Sequence, residues 1–133
     1  MISGTVNGAA SLYPWLDVTA TFDVHRLTEH TTLIIASGDF DAAGAEALAA
    51  AVAEPLATSE SIVLSLAQCP RIDREAIGVC DHIAGTLESG QHFVVVIDER
   101  NEALSFFERD RVRPIAHAPT IAAAVRFLAW VDA

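Results

Sequence analysis

The sequence predicts a single α/β domain on a mixed, mostly parallel sheet of four to five strands with four helices. Three observations carry this. Strand-like and helix-like runs alternate along most of the chain, which favours parallel pairing. The first two strands follow one another with no helix between them, which favours one antiparallel pair. The length of 133 residues suits one domain.

Residues 1–16 show no period and read as a loosely structured arm ahead of a domain spanning 17–133. From Val18 the pattern alternates strictly, with Val18, Ala20, Phe22 and Val24 on one face and Thr19, Thr21, Asp23 and His25 on the other. That is a half-buried strand. A polar break at Thr28-Glu29-His30 precedes a second strand, Thr31 to Ala36, and a turn at Gly38. Asp41 is a cap-type residue before an alanine-rich helix to about Leu56, whose Ala43, Ala47, Leu48, Ala51 and Val52 recur at helical spacing. The apolar run Ser61 to Leu66 reads as a buried strand.

The next helix carries the clearest local signal. Asp73 stands at the N-cap, Glu75 in the first turn, and Ile72 and Ile77 at staple positions. Ala76, Ile77, Cys80, Ile83, Ala84 and Leu87 form its inner stripe, and Gly90 is the expected stop. Phe93 to Ile97 is a third buried strand. Asn101 to Arg109 reads as a short helix with Leu104 and Phe107 inward, and Pro114 to Ala118 as a brief edge strand. Thr120 to Val131 is the last helix, with Ile121, Ala124, Val125, Leu128 and Val131 facing the sheet.

Charge narrows the partners. The net charge is −10, and all eight basic residues are arginine. Such a surface repels phosphate backbones and anionic lipids, so a protein partner is expected rather than nucleic acid or membrane. No run reaches the ~20 apolar residues of a membrane span. Met1 to Ala10 does not read as a signal peptide, which makes the cytoplasm the expected location.

The motifs of common chemistries are missing. The chain has no phosphate loop, no dinucleotide fingerprint and no nucleophile elbow. His25, His30, His82, His92 and His117 are scattered, and Cys69 and Cys80 form neither a redox pair nor a metal knuckle. Asp39 and Asp41 lie ahead of a helix, where carboxylates accept backbone N–H bonds. Neither an enzyme nor a cofactor is expected.

Two segments then bring a family into view. Ser37-Gly38-Asp39-Phe40-Asp41-Ala42 is similar to the step from second strand into first helix in the STAS domain, named for sulfate transporters and anti-sigma-factor antagonists. Ser61-Ile62-Val63-Leu64-Ser65-Leu66, followed by Ile72-Asp73-Arg74-Glu75-Ala76-Ile77-Gly78-Val79, resembles that family's buried strand and its D-S-x-G-[LI] turn. The resemblance covers about Val18 to Val131 and looks like the antagonist branch. It implies a regulator that binds an anti-sigma factor or other kinase-fold protein and so frees a sigma factor. A kinase in that family switches the domain off by phosphorylating the serine after the turn's Asp, where a helix N-terminus stabilises the phosphate.

At that position this chain departs from the pattern, because Arg74 follows Asp73, with Glu75 and Ala76 next. The phosphosite is therefore not carried over. The expected partner-binding residues are Asp39, Asp41, Arg71, Asp73, Arg74 and Glu75, within Gly38–Asp41 and Cys69–Val79. Arginine is a favoured anchor, so Arg71 and Arg74 lead, with Asp73 holding the turn. Thr58, Ser59 and Ser61 are read as loop hydroxyls open to modification and Ser65 as locally satisfied; Cys69 and Cys80 are read as small buried residues, with Cys69 a redox input only if its thiol is exposed and acidic. Homodimerisation is compatible with the sequence. So are a STAS subunit of a transporter or sensory assembly, and a small-ligand sensor.

Overall fold

The computed structural model describes residues 4–5, 20–58, 60–105 and 115–131. The sheet has six strands in the order of the sequence: β1 (Gly4–Thr5), β2 (Ala20–Thr28), β3 (Thr31–Gly38), β4 (Ser61–Gln68), β5 (Phe93–Val96) and β6 (Ala116–Ala118). The first three pair antiparallel and β3 to β6 pair parallel. The described helices are α1 (Ala42–Ala57), α2 (Arg74–Thr86) and α3 (Ile121–Val131).

Period-two patterning splits the core into two layers. Phe22, Ile34, Ile62, Leu64, Phe93 and Val95 pack with Leu48 and Val52 of α1 and Ile77, Cys80 and Ile83 of α2. Leu33, Val63, Val94, Val96 and Ala118 pack with Ala124 and Leu128 of α3 on the other face. β4 and β5 have apolar side chains on both faces because helices cover both.

The α/β class and the antiparallel start agree with the sequence, and several details differ. All five expected strands are present, and the two-residue Gly4–Thr5 pairing adds a sixth opposite Val24 and Asp23. The rest of the expected arm lies outside the described residues, as do Val18 and Thr19. Strand β2 runs on to Thr28, the first residue of the expected break, and the tight turn that reverses the chain falls within that break at Glu29-His30. Of the expected helix 101–109, Leu104 and Ser105 have helical backbone, and 106–109, with Phe107, lie outside the described residues. The described helices therefore number three rather than four.

Two helical faces follow expectation except at one position each. In α1, Gly44 and Ala45 are buried while Ala43 is exposed, because the helix turns its Gly44–Ala45 side toward the sheet. In α3, Val125 is exposed, because the packing side centres on Ala124 and Leu128. Helix α2 stops at Thr86 with Leu87 extended, ahead of Gly90. Gly90 instead serves the turn before β5 with φ of 87°, a conformation that suits glycine.

The amino-terminal edge of the parallel strands is closed by Glu60, which the sequence reading did not single out. Its carboxylate accepts hydrogen bonds from Thr32 Oγ1 (2.9 Å) and Thr58 Oγ1 (2.7 Å) and pairs with Arg26 (3.0 Å). Gln91 Nε2 donates to the carbonyls of Glu60 and Leu56, which ties the approach to β5 into the same edge. Ser61 is buried in β4, and its hydroxyl accepts from the His92 amide, so it is not the open loop hydroxyl expected. Thr58 is exposed but engaged with Glu60, while Ser59 lies outside the described residues.

Burial would raise the Glu60 pKa, but the bonds from Thr58, Thr32 and Arg26 and the Arg26 charge outweigh it and hold the group below its ordinary value. The stabilisation is therefore present above the unfolded-state pKa and lost as pH falls through the lowered folded value. Glu60→Ala is expected to cost about 2–3 kcal/mol in urea denaturation, since it strands the buried Thr32 hydroxyl. Half-exposed Arg26, changed to Ala, costs at most about 1 kcal/mol. The stability gap between wild type and Glu60→Gln narrows as pH drops below the usual glutamate value of 4.5. A gap unchanged by acid contradicts this account.

Candidate functional site

Parallel pairing places the carboxyl ends of β3, β4 and β5 on one edge, where open α/β sheets carry their sites. Three loops meet there: Asp39–Asp41 after β3, Cys69–Asp73 after β4, and the turn from Ile97 to Ala103 after β5. The two segments singled out from sequence are joined directly. Phe40 and Ile72 form an isolated parallel bridge, with the Phe40 amide donating to Arg71 O and the Asp73 amide donating to Phe40 O, both at 2.8 Å.

The Phe40 side chain anchors this bridge in the core. It is almost fully buried and meets Phe22 edge-to-face at 5.5 Å between ring centroids. The neighbouring loops are tied in as well. Ser37 Oγ donates to Gln68 Oε1 at 2.9 Å, and Asn101 Nδ2 donates to Cys69 O at 3.3 Å. Asn101 Oδ1 also accepts from the Ala103 amide, so one side chain shapes the third loop.

Asp41 caps α1 as expected, its Oδ1 accepting from the Gly44 amide at 3.1 Å. Asp73 stands at the expected N-cap with extended backbone, but its side chain makes no capping hydrogen bond. The backbone does that work. The Asp73 amide is held by Phe40, and its carbonyl accepts from Ala76 and Ile77, so α2 starts without the carboxylate. Ile72 and Ile77 both join the core cluster, consistent with the staple.

Arg71, Asp73, Arg74 and Glu75 are all exposed. Neither arginine makes a side-chain hydrogen bond or ion pair with another described residue, whereas Arg26 pairs with Glu60 and Arg100 with Asp98. The side chain of Arg100 holds the Asp98 carboxyl below its ordinary pKa. An open groove of about 530 Å³ runs between Pro70–Asp73 and Arg100–Ala103. Arg100, Asn101 and Glu102 were missed from sequence. The available signal was the polar run Asp98-Glu99-Arg100-Asn101 directly after a buried strand.

Cys69 does not fit the redox reading. It is buried, and burial, then the Asp39 charge, pushes its thiol up to about 12. A thiol this protonated is a poor nucleophile. Ser65 is buried in β4. Among the described residues, no three His, Cys, Asp or Glu side chains gather as metal ligands, and no helix is long and apolar enough to cross a membrane.

These contacts rank the residues energetically. Phe40→Ala is expected to destabilise the fold by about 3–5 kcal/mol, because it empties a packed site beneath the bridge. Asp41→Ala costs about 1 kcal/mol as a lost cap, and Asp73→Ala costs less than half of that. Urea denaturation of the three variants checks the order; an Asp73 loss equal to that of Asp41 contradicts the backbone explanation.

No family model and no curated protein matches the sequence. Solved structures do match. An anti-sigma factor antagonist from Mycobacterium paratuberculosis superposes with a TM-score of 0.73 at 18% identity, covering 86% of this chain and 99% of that one. TM1081 from Thermotoga maritima gives 0.66 at 19% identity, with 81% and 94% covered. The anti-sigma factor antagonist SpoIIAA in its unphosphorylated form gives 0.64 at 15% identity, with 81% and 97% covered. The chain therefore has the STAS fold of the anti-sigma factor antagonists.

Proposed function

We propose that the chain is an anti-sigma factor antagonist that binds an anti-sigma factor of kinase fold through its carboxyl-end edge, and that serine phosphorylation at the α2 turn does not switch it. The observation that carries this reading is the bridge between Phe40 and Ile72, which fixes the segment that bears Arg71 and Arg74, both exposed and neither with a described ion-pair partner. Unpaired arginines on a protein of net charge −10 are free to pair across an interface. Asp39, Asp41, Asp73 and Glu75 complete the surface: Asp41 holds the α1 start, and Asp73 and Glu75 stand exposed beside the arginines. The acidic remainder favours a basic partner at long range, while the rim arginines select carboxylates at contact.

Binding rather than catalysis fits this edge. The groove is open and polar, and the one cysteine beside it is buried and protonated. The Arg74 side chain has no hydroxyl to accept a phosphoryl group, and one carboxylate at Glu75 is a weak copy of a phosphate. The surface is therefore permanently competent.

Titration calorimetry of the purified chain against a kinase-fold anti-sigma factor from the same cell tests the reading. Arg74→Glu is expected to weaken binding more than tenfold, or about 1.4 kcal/mol, with unchanged circular dichroism. Equal affinities remove Arg74 from the interface. Incubation of the complex with ATP, followed by mass spectrometry, is expected to leave Thr58, Ser59, Ser61 and Ser65 unmodified, and phosphate on any of them contradicts a surface that is permanently competent.

A further inference from the structure

Helix α3 is apolar at ten of its eleven positions, Arg126 being the exception. A helix apolar all round is normally covered all round. Here the sheet covers only the side of Ala124 and Leu128. Three of the four exposed large apolar side chains in the described residues belong to α3: Val125 (40%), Phe127 (37%) and Trp130 (76%). At 100° per residue, Ala122, Val125, Arg126, Ala129 and Trp130 share the outward side. Phe127 extends the apolar surface around the helix to a groove of about 250 Å³ lined by Leu87, Phe93 and Ile115.

Charge indicates what covers this face. Helix α1 carries Glu46 and Glu54, α2 carries Glu75 and Asp81, and α3 carries no acidic residue. Two copies of a chain with net charge −10 repel each other over most approaches. Residues 121–131 bring no carboxylate of their own to such a contact. We infer that the outer face of α3 is the contact between two copies of this chain, related by a twofold axis.

Antiparallel helices level at Leu128 set Arg126 of each copy against Trp130 of the other, since the two residues are one turn apart. Arg126 has no ion-pair partner among the described residues, and a guanidinium over an indole face is a favourable contact. This register also separates the two Arg126 charges. Ala122 and Ala129 leave room for close approach. An eleven-residue helix is about 16 Å long. Its face falls short of the ~800 Å² per partner of a standard interface, so the dimer is weak and reversible. It leaves the α2 turn open, because α2 packs on the opposite face of the sheet.

Sedimentation velocity of the full chain over roughly 5 to 500 µM, the range of a weak dimer, tests this. The mass is expected to rise from 14.2 kDa towards twice that value. Raising salt from roughly 0.05 to 0.5 M strengthens association by screening the mutual repulsion. Trp130→Ser and Arg126→Glu each weaken it about tenfold or more, and Leu27→Ser, an exposed apolar change on β2, leaves it unaltered. Circular dichroism checks that each variant is folded, and the two α3 substitutions serve as independent readouts. A wild-type chain that stays monomeric throughout, or α3 variants that associate like wild type, overturns the inference.

Discussion

Two backbone hydrogen bonds hold the carboxyl-end edge of the sheet together, those linking Phe40 to Arg71 and Asp73. They extend the β3–β4 pairing past its last regular residues, where the register has already slipped between Ile35 and Ser37. Without them, the loops after β3 and β4 would be two independent turns. With them, the start of α2 is fixed by the end of β3, and the Phe40 ring fixes both by its burial against Phe22. The exposed Arg71, Asp73, Arg74 and Glu75 therefore stand on a rigid base that their side chains do not help to build, whereas Asp41 caps α1 and Asp98 binds Arg100.

The two edges of the parallel strands are built on opposite terms. At the amino edge, Glu60, Thr32, Thr58, Gln91 and Arg26 satisfy one another, so that charge and polarity are spent on closure. At the carboxyl edge, the backbone does the closing and Arg71 and Arg74 remain unengaged among the described residues. A buried polar network rigidifies when each member has a partner, and the proposed docking edge would need side chains that do not. The same sheet supplies both.

Much of this was legible in the sequence because local and global signals agreed. Period-two alternation at Phe22 and Val24, the apolar runs of β4 and β5, and the stripe of α2 each reported burial that the fold then used. The Gly38–Asp41 and Cys69–Val79 segments were recognisable separately, but their joining through Phe40 depends on strand order, which no local pattern encodes. Glu60 escaped notice for the same reason, since Thr32, Arg26 and Gln91 are far from it in sequence. Asp73 shows the opposite failure. It stands at the expected cap position, yet its side chain makes no capping bond, and its own carbonyl accepts from Ala76 and Ile77 while its amide is held by Phe40. Cys69 was ambiguous because a loop position does not determine exposure; packing under the edge buried it.

The most direct test of the proposed docking edge is hydrogen exchange of the chain, alone and with the proposed anti-sigma factor partner bound. Slowed exchange on binding is expected across residues 39–41, 70–75 and 100–103, the three loops that the Phe40 bridge and Asn101 bring together. The Phe40 and Asp73 amides are expected to be protected already in the free chain, because both are hydrogen-bonded there. A binding footprint that spares those loops and falls on α1 or on the amino edge around Glu60 would contradict the account.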